Sequence, residues 1–290
     1  MHAAVPAAGL DPVHAPYLRE RPALSYVEPD DPWPRRLGLA ALERACGRGA
    51  LERVYRELRA RGGDDADRFF EDALAAAGVE LEVDGTPLAA LPAQGPLLLI
   101  ANHPFGILDG LVLCRLALAL RGDFRILLHA RLCQDRMLAP RFLPVDFTET
   151  PRARATNLRS RQLALEALGR GVPLLLFPGG GISTRSRLGF GPLADLPWST
   201  TTAKLAARSR ATVVPCFFHG ENGRFFHLAS HFSQSLRLAL LLRETRRRFA
   251  RPCRVTIGRP LPWEELARSG DRRAMTARLH AATWALGRTG

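Results

Sequence analysis

Four short runs with almost no charge set the architecture: "GPLLLIAN" (95–102), "FRILLHA" (124–130), "VPLLLFPGGG" (172–181) and "ATVVPCFFHG" (211–220). Each is too short for a buried helix and ends in polar or turn-forming residues. Each therefore reads as a strand covered on both faces. Between and after them lie stretches of helical length: "DGLVLCRLALAL" (109–120), "RATNLRSRQLALEALGRG" (154–171), "TTAKLAARS" (201–209) and "SQSLRLALLLRETRRR" (233–248). "VELEVDG" (79–85), "FLPVDF" (142–147) and "CRVTIGRPL" (253–261) supply further strands, and 271–286 a last helix. Strands alternating with helices predict an α/β fold, a single layered domain whose largely central sheet is flanked by helices. The alternation leaves the strand directions open.

The first part of the chain follows other rules. Residues 1–34 are rich in proline and predict an irregular arm. Helical periodicity returns over 35–46, 50–61 and 66–77, so 35–78 reads as a small helical region packed on the core, stopped by Gly78. The α/β domain occupies 79–290. No internal repeat or change of composition marks a second large domain.

Lysine and arginine number 41 against 28 acidic residues, a formal charge of +13, and Lys204 is the only lysine. Arginine is favoured where carboxylate or phosphate is gripped. Avoidance of lysine also fits a GC-rich coding bias. The charge calls for anionic partners. No zinc-finger spacing or aromatic-interleaved basic patch is present, so an anionic membrane surface or a phosphate-bearing substrate is favoured and nucleic acid is not. Five dispersed cysteines read as reduced and buried. No signal peptide and no apolar run of about 18 residues is found. The expected place is the cytoplasm, peripheral on the inner face of the cell membrane. Nothing in the sequence sets the oligomeric state.

Three loops follow the apolar runs where open α/β sheets carry their sites. In "NHPFGILDG", His103 is a candidate general base and Asp109 the carboxylate that fixes its tautomer. Residues six apart on one helix differ by about 240° and do not meet. A turn through Pro104 and Gly106 removes that obstacle and puts Asp109 in the first helical turn. The alternative is a strand-end histidine beside an acid that merely favours a helix N-terminus. In "FPGGGISTRSRLG", Gly179, Gly180 and Gly181 free backbone N–H groups for an anion, with Ser183, Arg185 and Arg187 downstream. A plain turn with solvated arginines reads equally well. In "VVPCFFHGENG", His219 is either a second acid–base group or a hydrogen-bond anchor. Arg131, Arg136, Arg141 and Asp146 are further polar residues between the loops, and Cys133 and Cys216 lack any Cys-His pattern. No metal-ligand spacing is present.

Taken in order, these loops resemble the blocks of the lysophospholipid (glycerolipid) acyltransferase superfamily, which includes 1-acylglycerol-3-phosphate acyltransferases. Asn102-His103 match its first block, although five residues rather than four separate His103 from Asp109. The form His-Pro-x-Gly-x-x-Asp-Gly, filled here by His103, Pro104, Gly106, Asp109 and Gly110, resembles a bacterial branch labelled hemolysin that also holds ornithine-lipid acyltransferases. "FLPVDF" is similar to the second block through Asp146, with Phe147 where an arginine is usual. "FPGGGIST" is similar to the third block at Pro178, with Gly179 for the usual glutamate and Ile182 for the usual arginine. "VVPCFFHGENG" is similar to the fourth through Val214, Pro215 and Gly220. The likeness spans roughly 24–286.

That resemblance implies transfer of a fatty acyl group from acyl carrier protein or coenzyme A to the hydroxyl of a lysolipid, lysophosphatidate or lyso-ornithine lipid. His103 would be the base, Asp109 its orienting partner, and Gly179–Gly181, Ser183, Arg185, Arg187, Arg131 and His219 the substrate contacts. Asn102, Pro104, Gly106, Gly110, Pro178, Pro215 and Gly220 would shape the site. No bound cofactor is implied; the thioester donor is a substrate. Two alternatives stay open: a lipid- or membrane-binding protein with weak or no catalysis, and a hydrolase using water as acceptor. The leucines of "LRLALLLRETRRR" read as core packing, and alternatively as a lipid-facing stripe.

Overall fold

The computed structural model describes residues 10–23, 25, 27, 32–62, 65–232 and 234–288. Residues 1–9 and 28–31, and so part of the proline-rich arm, lie outside the described residues. Three helices, α1 (Trp33–Ala45), α2 (Arg48–Gly62) and α3 (Phe69–Ala76), precede strand β1 (Leu81–Gly85). Then come β2 (Leu97–Ala101), α4 (Ile107–Arg121), β3 (Arg125–His129), β4 (Phe142–Val145), α5 (Pro151–Gly169) and β5 (Leu174–Leu176). A small excursion follows: β6 (Thr184–Arg185), α6 (Ser186–Gly189) and β7 (Leu193–Ala194). The chain returns through α7 (Thr201–Ser209), β8 (Thr212–Phe218), α8 (Arg224–Phe232), α9 (Gln234–Arg247), β9 (Cys253–Ile257), α10 (Trp263–Ala267) and α11 (Arg272–Ala285).

Among the described residues a seven-stranded sheet runs in the order β1-β9-β8-β2-β5-β3-β4. The five strands from β8 to β4 are parallel; β9 is antiparallel to β8, and β1 pairs in parallel with β9. Alternation along β2 shows why its sequence is apolar throughout. Leu97, Leu99 and Ala101 join a core with α3 and α4, and Leu98 and Ile100 join one with α5, α7 and α11. The expected central sheet flanked by helices, with an N-terminal helical region, is what the chain forms. α4 ends at Gly122, whose left-handed backbone returns its N–H to the Leu118 carbonyl at 2.7 Å.

The described part of the arm is tied down. His14 Nε2 lies 2.7 Å from the Phe142 carbonyl, and the Tyr17 hydroxyl bonds Asp146 and Thr156. Leu241 and Leu242 of α9 are buried, which places that helix against the core.

Candidate active site

The three loops sit side by side because β8, β2 and β5 are adjacent and parallel. Their carboxyl ends therefore open at one edge of the sheet. Asn102 closes β2 by reaching across to β8. Its amide accepts from the Phe218 N–H at 2.7 Å and donates to the Phe218 carbonyl at 3.0 Å. That prolongs the ladder by one rung and fixes where His103 leaves the sheet.

The next seven residues, His103 to Asp109, form a closed clasp. α4 starts at Ile107, so Asp109 lies in its first turn and His103 outside it. One oxygen of Asp109, Oδ2, faces His103 Nδ1 at 3.0 Å and accepts the N–H groups of Phe105 at 2.8 Å and Gly106 at 3.0 Å. Gly106 makes this turn possible at φ 76°, and a Cβ there would stand 2.9 Å from Leu241. The carboxyl is wholly buried, and its Oδ1 has no partner among the described residues. Burial pushes the Asp109 carboxyl above its ordinary value, against the pull of His103 and the two backbone donors. Because Nδ1 faces an acceptor, it carries the proton, and Nε2 is left as the basic nitrogen. The imidazole stacks on Phe177 at 3.8 Å between ring centres. Pro104 lies in the loop and Gly110 in the first turn of α4, and Gly220 (φ 109°) leaves room for Phe105, whose ring a Cβ would meet at 2.8 Å.

The second loop uses its polar residues differently. Ser183 clasps the backbone of His103: its N–H donates to the His103 carbonyl at 2.8 Å and its Oγ accepts the His103 N–H at 3.1 Å. The Ser183 hydroxyl donates to Asp195 at 2.5 Å. Arg185 forks onto Glu221 at 2.5 and 2.6 Å and holds the Gly191 carbonyl. The Arg185 guanidinium beside Glu221 holds that carboxyl below its ordinary value. Arg187 is exposed at φ 50°. Gly180 donates its N–H to Phe177, and the N–H groups of Gly179 and Gly181 have no protein acceptor among the described residues.

His219, at the end of β8, bonds the Thr256 hydroxyl at 2.8 Å and packs on Phe217. Burial lowers its pKa, and it stands apart from the cavity wall. Pro215 lies inside β8 against Gly258. Asp146 is held by Tyr17 and Thr148, and Arg141 pairs with Asp67 and Asp123. All five cysteines are buried free thiols; burial pushes Cys216 up to about 12, so it is no nucleophile at neutral pH.

His103 opens onto a cavity of about 860 Å³. Gly179, Gly180, Gly181, Pro178 and Arg131 line it near the loops, and Ile107, Leu111 and Cys114 of α4 line it farther in. It continues beneath Tyr55, Phe69 and Phe70 of the N-terminal helices. This is the upper part of the ~300–1,000 Å³ range of small-molecule sites. Arg185, Arg187, Ser183 and His219 are not on its wall. A base with an oriented tautomer, two free backbone N–H groups and a long apolar cavity suit proton abstraction from a hydroxyl and acyl transfer.

Four residues of this region escape a reading of the sequence: Phe177 under the imidazole, Asp195 behind Ser183, the buried hydroxyl of Thr202, and Arg237. Only Arg237 leaves a signal, as a lone cation within "SLRLALLL".

A family model described as Acyltransferase matches residues 51–287. A lyso-glycine lipid O-acyltransferase of Phocaeicola vulgatus is 27% identical over 204 residues, 68% of this chain and 69% of that protein. A protein of the same description from Bacteroides thetaiotaomicron is 26% identical over 213 residues, 69% of this chain and 73% of that protein. The crystal structure of the 1-acyl-sn-glycerophosphate (LPA) acyltransferase PlsC from Thermotoga maritima aligns with a TM-score of 0.48 and 14% identity, covering 89% of this chain and 97% of that one.

Proposed function

This chain belongs to the acyltransferase family, and from that premise we propose that it transfers a fatty acyl group from a thioester to the hydroxyl of a lysolipid. The observation that carries the reading is His103: Nδ1 is held by buried Asp109 while the ring opens onto the apolar cavity. Nε2 takes the acceptor's proton as its oxygen attacks the thioester carbonyl. The N–H groups of Gly179 and Gly181 face the developing oxyanion. The C–S bond then breaks, the ester forms, and the proton passes from Nε2 to the departing sulfur. Asp109 holds the imidazolium while it exists. No acyl-enzyme is needed.

The donor is acyl carrier protein or coenzyme A thioester. The two relatives described as acting on lyso-glycine lipid make an amino-acid-headed lysolipid the first acceptor to try. Lyso-ornithine lipid, favoured by the His-Pro-x-Gly-x-x-Asp-Gly form, is the second, and lysophosphatidate the third.

The enzyme meets its acceptor at an anionic membrane surface. No helix of the described residues is long and apolar enough to cross a membrane. α8 instead exposes Phe225 (68%), Leu228 (40%) and Phe232 (71%) at helical spacing, beside Leu188 of α6 and Phe190 just after it. Gly189 joins the two elements, its Cβ position 3.4 Å from His227. Exposed Arg187 and Arg224 rim the patch, as an anionic bilayer requires.

The test is a matrix of both donor types against the three acceptors, with purified protein on anionic vesicles. Labelled product from at least one pair is expected, at a rate about 10²–10⁴-fold lower from the His103→Ala protein. Free fatty acid without acceptor would make it a hydrolase; vesicle binding with no transfer from any pair would make it a lipid-binding protein.

A further inference from the structure

The arginines around the histidine differ in what holds them. Arg185 is forked onto Glu221, and Arg248 lies over the Phe105 ring at 4.3 Å and holds the Pro252 carbonyl. Arg237 of α9 is held as Arg248 is, by a ring and a backbone carbonyl, but unlike Arg248 it lines the cavity that holds His103. One of its nitrogens donates to the Ile182 carbonyl at 2.6 Å, and its carbon sits 5.7 Å from the centre of the Phe226 ring. Among the described residues no carboxylate pairs with it. A guanidinium has five N–H donors in a planar fork, so most of its capacity is unused. Its neighbours Ile182, Phe226 and Leu241 form a small apolar cluster of their own. Burial there pulls its pKa below the ordinary arginine value. A half-buried cation with no counter-charge is costly, and an arriving anion removes that cost.

Its place in the fold says which anion. Arg237 lines the cavity that holds His103. It grips Ile182, whose neighbour Ser183 clasps the His103 backbone. One turn on, Leu241 meets the Gly106 position of the His103 loop. Base and cation are thus fixed to one short piece of backbone. A ligand whose reactive hydroxyl sits at the histidine and whose charge meets the guanidinium would span the two within one cavity.

We infer that Arg237 is the receptor for the acceptor's headgroup oxyanion, a carboxylate or a phosphate, held while the acceptor hydroxyl faces His103. This rests on the acyltransferase reading above. The guanidinium fork matches a planar carboxylate best and takes phosphate as well. A headgroup presenting only an ammonium finds no partner there. An amino-acid headgroup must therefore be linked through its nitrogen, with its carboxylate free.

Three acceptors of equal chain length decide it: a carboxylate-headed lysolipid, lysophosphatidate and neutral monoacylglycerol. Each is assayed with wild type, Arg237→Gln and Arg237→Lys. Arg237→Gln is expected to raise KM for the preferred anionic acceptor about 10–100-fold, the loss of a charge-assisted pair. Its kcat, its donor KM and its KM for monoacylglycerol are expected to stay within about threefold. Lysine restores more with phosphate than with carboxylate, because it lacks the fork. The acceptor that suffers most tells which oxyanion is read.

Equal losses on neutral and charged acceptors would make Arg237 a prop for Ile182 and overturn the inference. A raised donor KM would overturn it in favour of the donor's phosphates, and unchanged constants would overturn it outright. Melting curves accompany each variant; where Arg237→Gln melts early, Arg237→Lys carries the comparison. Calorimetric titration with the same three lysolipids, without donor, reads the contact apart from turnover. Wild type that binds the anionic lysolipid through Arg237 but transfers nothing would sink the acyltransferase reading alone.

Discussion

The loop after β2 and the loop after β5 border the same cavity, yet they engage their polar groups in opposite ways. In the first, three donors within six residues converge on Asp109, and every bond to that carboxylate is local. In the second, the partners come from elsewhere: Ser183 reaches Asp195 and His103, and Arg185 reaches Glu221 at the end of β8. The first loop aims a side chain at the cavity. The second braces the first, and gives the cavity mainly backbone from its glycines.

The sharpest way to break this contrast is at His103. Replacement by Ala is expected to lower kcat about 10²–10⁴-fold, the ordinary worth of a general base, in protein that is still folded by its melting curve. Retained activity in steady-state assays would end its role as base. Next comes Gly106→Ala, which must hold a methyl at φ 76° some 2.9 Å from Leu241. It is expected to cost about 2 kcal/mol or more in urea unfolding, because two penalties combine. A neutral result would mean the turn is not rigid.

The second loop predicts smaller effects of another kind. Glu221→Gln removes the fork from Arg185, an ion pair about a third exposed, and is expected to cost about 1 kcal/mol at neutral pH. The sign with pH follows from the depressed carboxyl. Its contribution is present above the unfolded carboxyl pKa of ~4.3 and is lost as pH falls through the lower folded value. The gap between wild type and variant should therefore close below about pH 4 in denaturant titrations. A gap independent of pH would assign the cost to packing. Last, Arg187→Ala is expected to leave the KM of a water-dispersed acceptor within about twofold, because the residue is off the cavity wall. A larger rise would put it back among the substrate contacts.

This division also marks what could be read from the sequence. The His103–Asp109 clasp was legible because one helical period, one proline and one glycine determine it. The three loops were legible as strand ends because β2, β5 and β8 are apolar without interruption. That these strands are neighbours was not, since adjacency comes from ladder pairings between distant segments. Nor was the engagement of Arg185, whose partner lies 36 residues away. The β6–β7 hairpin has two residues per strand and no period to detect. α8 gives no clean apolar face in the sequence, because part of its apolar set, Phe225, Leu228 and Phe232, faces outward rather than into the core. Arg237 is a single cation in a leucine-rich helix, and its contact with Ile182 joins residues 55 apart.

Phe105 carries one more consequence. Its ring is wholly buried between the Gly220 backbone and the Arg248 guanidinium, directly behind the clasp. Far apart in the gene, codons 105 and 220 are thereby bound to a common fate. Any lineage that gives position 220 a side chain must first shrink the ring at 105. In doing so it loosens the support of the very turn that presents the histidine. Descendants of this chain that carry a side chain at 220 should thus carry a smaller residue at 105.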